Sequence, residues 1–104
     1  MTRYTLTIGL FDKDTKRQKI SSDIALKIVS DLVVQTVGYG TVYTGNGIYT
    51  HVNGSIVIEP SIIYFIDGEE EEESKIKNLA WMIKKALNQE SVMLEETAVK
   101  MEFI

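Results

Sequence analysis

A chain of 104 residues is long enough to bury a core, and we expect one domain over residues 1–104. Its formal net charge of −4 argues against a nucleic-acid interface, which requires clustered lysine and arginine. The absence of cysteine excludes disulfides, zinc–thiolate sites and cysteine nucleophiles, and it fits a cytoplasmic protein.

The first part of the chain predicts a strand followed by a helix. Arg3 to Phe11 alternates apolar and polar residues, which is typical of a half-buried strand and not of a signal peptide. After a charged loop, Ser21 or Ser22 can cap a helix, which Gly38 and Gly40 then end. No apolar run in the chain approaches the roughly 20 residues of a membrane span.

The segment from Gly40 to Asp67 predicts one long β-hairpin. It turns at Asn53-Gly54, because both central residues of a two-residue type I′ turn need a positive φ. In the resulting register Gly47 lies opposite Pro60, and we expect a bulge, bend or break there because proline cannot donate to a ladder.

Both faces of the predicted hairpin are rich in apolar side chains. This register places Tyr43, Tyr49 and Tyr64 on one face, and Ile63 and Phe65 on the other. A sheet with helices on one side should leave its other side polar, so we expect a partner to cover it. We favour a homodimer or larger homo-oligomer built on the sheet face or the hairpin arm. The alternative is a hairpin that folds back over its own sheet.

The last part of the chain predicts a second helix and a final strand. Glu69 to Glu73 fall at the start of the helix and Lys84 and Lys85 near its end, as the helix dipole favours. Ser91 to Leu94 predicts a short strand, and Ala98 to Ile104 either continues it or adds another. The order βαββαβ predicts an α+β, ferredoxin-like fold with an antiparallel sheet and both helices on one face.

Eight residues are candidates for contacts with a ligand or partner, and none is assigned a catalytic or metal-binding role. Glycine lets a ligand approach the backbone, and tyrosine offers both a ring and a hydroxyl. A tryptophan that points outward among lysines is typical of an interface anchor. The candidates are Tyr43, Gly45, Asn46, Gly47, Tyr49, His51, Tyr64 and Trp81.

Several of these features have a plainer interpretation. His51, the only histidine, is either a general acid or base or simply an exposed hairpin residue. Asp12 and Asp14 lack the rest of a calcium loop, so they predict a solvated loop, with a weak magnesium site as the alternative. The glutamates from Glu69 to Glu73 form either an acidic recognition surface or a dipole-matched helix start. Trp81 is either an interface anchor or a ring covered by lysine stems.

Three segments resemble small uncharacterised proteins from Firmicutes genomes, phages and prophages. They are RYTLTIGLFDKDTK, GNGIYTHVNGSIVIEPS and ALNQESV. The elements G-x-Y...G...V-x-E-x-S and Q-E-S-V also resemble a broader bacterial family thought to be ferredoxin-like. Neither group supplies an activity. The resemblance implies an accessory protein of a mobile element, one that would counter a host defence by binding a host protein or a nucleotide signal.

We therefore expect a non-enzymatic interaction protein that self-associates and needs no cofactor. The first alternative is a binder of a small molecule or nucleotide signal at a subunit interface, close to Gly45, Gly47 and the tyrosines. The second alternative is a small ferredoxin-like enzyme, although the sequence shows no recognisable pair of nucleophile and base.

Overall fold

Four antiparallel strands form one sheet in the computed structural model, which describes residues 1–104. A single 3₁₀ turn, Glu70–Glu72, leads into the second helix. Across the sheet the strands are ordered β2-β3-β1-β4. The elements are β1 (Thr2–Gly9), α1 (Ser22–Thr36), β2 (Thr41–Thr50), β3 (Ile56–Gly68), α2 (Glu73–Ala86) and β4 (Met93–Ala98). This order confirms the predicted ferredoxin-like α+β fold.

The core lies between the two helices and one face of the sheet, called the inner face below; the opposite face is the outer face. Alternate residues of β1 and β3 point inward, and residues three or four apart on each helix meet them. The central buried side chains are Tyr4, Leu6, Ile8, Ile62, Tyr64 and Ile66 from the sheet, and Ala25, Val29, Val33, Ile76, Leu79 and Ile83 from the helices. This one-sided packing leaves the outer face without a layer over it.

The ends of α1 follow the signals in the sequence. The Ser21 hydroxyl accepts a hydrogen bond from the Ile24 N–H at 3.3 Å, so Ser21 is the N-cap. At the other end the Gly38 N–H donates to the Val33 carbonyl at 2.8 Å, with Gly38 at φ +92°. Neither helix of the protein is long and apolar enough to cross a lipid bilayer.

The hairpin turn differs from the prediction by one residue. Thr50 pairs with Ile56, and the Gly54 N–H donates to the His51 carbonyl at 2.9 Å. Gly54 has a φ of +87°, whereas Asn53 keeps a negative φ. The predicted type I′ turn is therefore wrong. The loop is a hydrogen-bonded β-turn from His51 to Gly54, and Gly54 is its single left-handed residue.

The one-residue shift reassigns the faces of the hairpin. Since side chains alternate along a strand, such a slip moves every residue of β2 to the other side relative to β3. Tyr43 now pairs with Ile63 and Tyr49 with Val57, so these tyrosines lie on the outer face. Tyr64 remains on the inner face, and the predicted grouping of the three tyrosines is wrong.

The ladder between β2 and β3 runs through the proline without interruption. Ten consecutive pairs join the strands, and Pro60 lies opposite Asn46 rather than Gly47. The Pro60 carbonyl accepts from the Leu10 N–H at 3.0 Å, on the side away from β2. The nitrogen of a strand residue points to the same side as its carbonyl, so β2 loses no donor and the predicted bulge or break is absent.

The hairpin extends beyond the helices. Ile62 is fully buried, but on the same face Ile58 is 56% exposed and Ile48 is 69% exposed. We call residues 46–60 the hairpin arm. The longest dimension of the protein is 46 Å, compared with 28 Å and 23 Å for the others. The overhang gives an apolar surface that no other part of the chain covers.

The final strand is a single element, β4, which pairs with β1 through Leu6 and Leu94. It runs through Glu95 and Glu96, whose carboxylates are both exposed on this edge strand. Residues 99–104 form no strand, so the additional C-terminal strand is wrong.

Candidate functional site

A cleft of about 600 Å³ lies at one end of the outer face, beside the hairpin arm. Tyr49, His51 and Glu59 line it from the arm, while Lys13 and Lys16 line it from the loop after β1. Residues 89–91, which connect α2 to β4, form the third wall. Three parts of the chain that are distant in sequence therefore meet at this place.

Glu59 is held in a defined position at the floor of the cleft. Its Oε2 accepts a hydrogen bond from the Phe11 N–H at 2.9 Å. The carboxylate lies over Gly9, where an added β-carbon would come within 2.6 Å of the Glu59 Cδ. Glycine at position 9 therefore makes the room that this carboxylate occupies. One carboxylate oxygen is engaged by the backbone, and Oε1 makes no hydrogen bond within the chain.

Two aromatic rings stand beside this carboxylate. Tyr49 and His51 are two residues apart on β2 and the start of its loop, and their ring centroids lie 5.5 Å apart in an edge-on arrangement. Tyr49 pairs with Val57, which is two residues before Glu59, so these three residues are on the same side of the hairpin, and His51 lines the cleft with them. The cleft thus combines a carboxylate with ring surfaces.

The loop that supplies the lysines is fixed by Asp12. Asp12 Oδ1 accepts from the Asn88 side-chain amide at 2.8 Å, and Oδ2 accepts from the backbone N–H groups of Asp14 and Thr15 at 3.0 and 3.1 Å. The Asn88 side chain first, and then the Thr15 N–H, lower the pKa of Asp12 to about 2. Asp12 is buried, and the predicted solvated loop is wrong at this residue.

Residues at the end of α2 complete this support. The Gln89 amide donates to the Phe11 carbonyl at 3.0 Å, and the Lys13 N–H donates to the Asn88 carbonyl at 3.0 Å. Asn88 itself adopts a left-handed φ of +48°. Phe11 is therefore held from both sides, by Gln89 at its carbonyl and by Glu59 at its N–H.

The charges around the cleft are of both signs. Lys13 and Lys16 lie on one wall, while Glu59 and Glu90 lie on the floor and the third wall. Such a lining favours a ligand that offers hydrogen-bond donors to carboxylates as well as apolar or aromatic surface. No group of three or more His, Asp or Glu side chains in the protein is arranged to hold a metal ion.

The structure brings only two of the eight candidate residues into the cleft. These are Tyr49 and His51, and Gly47 lies next to them as the partner of Glu59 in the ladder. Tyr43 lies farther along the outer face, where its ring meets Phe65 edge-on at 6.4 Å.

The other candidates lie elsewhere. A β-carbon at Gly45 would come within 2.9 Å of the Ile63 side chain, so this glycine serves packing within the sheet. Asn46 pairs with Pro60 and points to the opposite side of the arm. Trp81 is exposed on α2.

Tyr64 is the one candidate that the structure removes. It is fully buried in the core, and its hydroxyl donates to the Tyr39 carbonyl at 2.8 Å. Burial also raises the pKa of Tyr64. The prediction that Tyr64 contacts a ligand or partner at the surface is therefore wrong.

Sequence reasoning missed Glu59 and Gly9 as site residues. One signal was present: no Asp, Glu, Lys or Arg occurs between Asp31 and Glu59, so Glu59 is an isolated charge in an apolar strand. A charge in that setting points to a function more often than a charge in a solvated run. The part played by Gly9 depends on strand pairing and has no such signal.

Comparison with known proteins identifies structures of similar fold. No known family model matches the chain, and no curated protein sequence matches it. A phage SAM lyase in its apo state superposes with a TM-score of 0.68 at 19% identity, covering 92% of this chain and 78% of that one. A phage SAM lyase in complex with S-methyl-5′-thioadenosine gives 0.64 at 20% identity, covering 92% and 79%.

A third structure, the de novo designed protein Foldit4, superposes with a TM-score of 0.50 at 15% identity and covers 95% of this chain and 98% of that one. A designed protein and phage proteins therefore share one backbone arrangement. At these identities the likeness shows the fold alone.

Proposed function

We propose that the protein binds a small molecule of the adenosine thioether class in the cleft beside the hairpin arm. The observation that carries this proposal is the Glu59 carboxylate, which is fixed over Gly9 next to the rings of Tyr49 and His51. The cleft volume of about 600 Å³ lies within the range of small-molecule sites. A protein of similar fold, the phage SAM lyase, holds S-methyl-5′-thioadenosine, which adds support for this class.

The chemistry of such a ligand suits the lining. Its ribose has two hydroxyls that donate hydrogen bonds, and acidic side chains accept from ribose hydroxyls in many nucleotide sites. Its adenine ring and methyl thioether offer apolar surface to Tyr49 and His51. In this proposal Oε1 of Glu59, which makes no hydrogen bond within the chain, accepts from the ribose.

Calorimetric titration with S-methyl-5′-thioadenosine and with its 2′-deoxy analogue tests this assignment. We expect Glu59→Gln to lower the affinity for S-methyl-5′-thioadenosine by roughly tenfold to a hundredfold. This is the range expected for loss of a hydrogen bond to a charged group. The same change should affect the deoxy analogue much less. Glu90→Gln removes a charge from the third wall of the cleft and is the matched control. A wild-type protein that binds neither ligand at millimolar concentration would contradict the proposal.

Gly9→Ala tests whether the position of the Glu59 carboxylate matters for binding, since this variant keeps the carboxylate but displaces it. The added methyl group needs the space that the Glu59 carboxylate occupies, so the carboxylate must move. We expect ligand affinity to fall by about tenfold, since a displacement of about 1 Å already disturbs a site. Unchanged affinity in this variant would show that Glu59 does not contact the ligand.

The same cleft also supports a test between a binder and an enzyme. We propose a binder, because the His51 ring makes no hydrogen bond and no nucleophile stands next to a base. Incubation with SAM, followed by chromatography for S-methyl-5′-thioadenosine, decides this point. Product that appears with the wild type and disappears with Glu59→Gln or His51→Ala would replace the binder with an enzyme.

Self-association through the hairpin arm is a second proposal. Ile48 and Ile58 are more than half exposed on the inner face of the arm, and no charged residue occurs between Asp31 and Glu59. Exposed apolar strands without charges are typical of surfaces that a partner covers. An oligomer formed there would place a second copy on the side of the arm opposite the cleft.

Light scattering coupled to size-exclusion chromatography tests the arm. We expect Ile58→Lys to lower the mass of an oligomeric wild type by abolishing association through the arm, because a buried lysine at an interface is costly. Ile24→Lys is the matched control: Ile24 is 58% exposed on α1, against 56% for Ile58. A wild type that is monomeric at high micromolar concentration contradicts association through the arm.

We also propose an accessory role in a phage or other mobile element, including action against a host defence. Two structures of similar fold are phage proteins, and the resemblance in three segments of the sequence agrees with that source. Plating of phages on a restricting bacterial host that expresses the protein tests this role. An unchanged plating efficiency across a broad panel of defences would oppose it.

A further inference from the structure

The outward face of α2, together with Glu71 in the 3₁₀ turn directly before it, carries a regular stripe that the cleft and the arm do not use. Its members are spaced three and four residues apart and all are exposed, on the side of the helix away from Ile76 and Leu79. We call this set the α2 stripe. It consists of Glu71, Ser74, Asn78, Trp81 and Lys85.

We propose that the α2 stripe binds the α2 stripe of a second copy, antiparallel across a two-fold axis at Asn78. In this arrangement Glu71 lies opposite Lys85 of the partner subunit, and Ser74 lies opposite Trp81 of the partner subunit. Each contact occurs twice, as a two-fold interface requires. The spacing of three and four residues is the one that lets two helices pack along their length.

The charges at the ends of the α2 stripe are free to make this contact. Within the chain Lys75 pairs with Glu72 at 3.9 Å and Lys77 pairs with Glu73 at 3.0 Å. Glu71 and Lys85 make no ion pair within the chain. An antiparallel partner brings these opposite charges together, whereas a parallel partner brings like charges together. The charge pattern therefore selects one orientation of a second copy.

The sizes of the side chains are complementary in the same orientation. Trp81 is 58% exposed, and its ring carries Lys84 Nζ at 4.8 Å and Lys85 Nζ at 5.4 Å from the centroid. Opposite it the partner presents a small Ser74 side chain, which leaves space for an indole ring. Tryptophan is enriched at the centres of protein interfaces, where removal of water makes its contacts strong.

A shallow groove beside Trp81 adds apolar area to this surface. It has a volume of about 350 Å³, and Ala80, Val92 and Leu94 contribute its apolar floor. A helix packed on the α2 stripe would cover part of this floor and so remove it from water.

The charges of the α2 stripe also favour a second copy over an unrelated acidic peptide. Such a peptide would pair with Lys85 but would place a like charge opposite Glu71.

The single tryptophan of the chain provides the measurement. Emission from Trp81 should shift to shorter wavelength as wild-type protein is concentrated, and sedimentation velocity should show dimers over the same range. Glu71→Lys and Lys85→Glu should each weaken dimerisation by at least about tenfold, since each places like charges in contact twice. Lys100→Glu makes the same change of charge on the exposed tail and should leave dimerisation unchanged.

Mixing the two variants gives the decisive result. The Glu71→Lys protein carries two lysines at the stripe ends and the Lys85→Glu protein carries two glutamates, so an equimolar mixture should form heterodimers. The double variant Glu71→Lys/Lys85→Glu should again form homodimers. A mixture that stays monomeric, or a wild type whose Trp81 emission is independent of concentration, overturns the proposal. An oligomer formed through the arm is distinguished because it leaves Trp81 emission unshifted.

Discussion

The two halves of β3 carry the same alternation of isoleucines on the same face, yet they differ completely in burial. Ile62 is fully buried under the helices, whereas Ile58 is 56% exposed four residues earlier. The difference arises because α1 and α2 cover only the base of the hairpin. An apolar pattern therefore specifies which face a residue occupies, and the layer above that face decides whether it is buried.

This comparison separates two uses of apolar surface. At the base, burial of isoleucine stabilises the fold by roughly 1.5 to 3 kcal/mol for each side chain. In the arm the same side chains contribute little to the isolated chain, since they remain in water. Their contribution appears only when another surface covers them, so the arm and the base should respond differently to the same substitution.

The largest effect is expected from a matched pair of truncations. Ile62→Ala should lower the free energy of unfolding by about 2 to 5 kcal/mol, because it leaves a cavity in a packed core. Ile58→Ala should cost less than about 1 kcal/mol in a monomer. Urea unfolding measures both values. Equal losses at low protein concentration would show that the arm is already covered within the chain.

A smaller effect is expected at the tip of the arm. Gly54 has a φ of +87°, so Gly54→Ala should cost about 1 to 2 kcal/mol for a side chain in the left-handed region. We expect the loss to be local to the arm. Hydrogen exchange should accelerate for amides of the arm and remain unchanged for β1, since the two regions open separately. Equal acceleration in both would indicate that the hairpin is one cooperative unit.

The last expected effect is seen only in acid and concerns the loop after β1, which lies across the cleft from the arm. The pKa of Asp12 is lowered from 3.8 to about 2 in the folded protein, so its stabilisation is complete above about pH 4 and is lost as the pH falls toward 2. In Asp12→Asn this acid-dependent loss should be absent, and the difference in stability from wild type should narrow as the pH falls. Thermal unfolding between pH 2 and 6 measures it, with Asp23→Asn as the control. A constant difference over that range would contradict the assignment.

The sequence was sufficient for the fold and insufficient for the register of the hairpin. Periodicity, the Ser21 cap and the glycines after α1 predicted the order of elements correctly. The turn was misplaced because Asn-Gly fits two kinds of loop, one with two left-handed residues and one with a single left-handed glycine. Only pairing along the whole ladder decides between them. The one-residue difference then reversed the faces of Tyr43 and Tyr49.

The candidate site was only partly predictable for a related reason. Tyr49 and His51 were identified because their residue types suit ligand contacts. The contact of Glu59 with Gly9 depends on how β1 and β3 pair, and that of Asp12 with Asn88 depends on the end of α2. Such contacts join distant parts of the chain and leave no local pattern in the sequence.

The hydrogen bond between Asp12 and Asn88 also has a consequence for the order of folding. These residues are 76 positions apart, so the bond forms only after nearly the whole chain has been brought together. Closing so long a loop has an entropic cost. Strand pairing and helix packing have to offset this cost before the hydrogen bond can form. The loop after β1 should therefore become ordered late, and the cleft beside it is completed only after the sheet is formed.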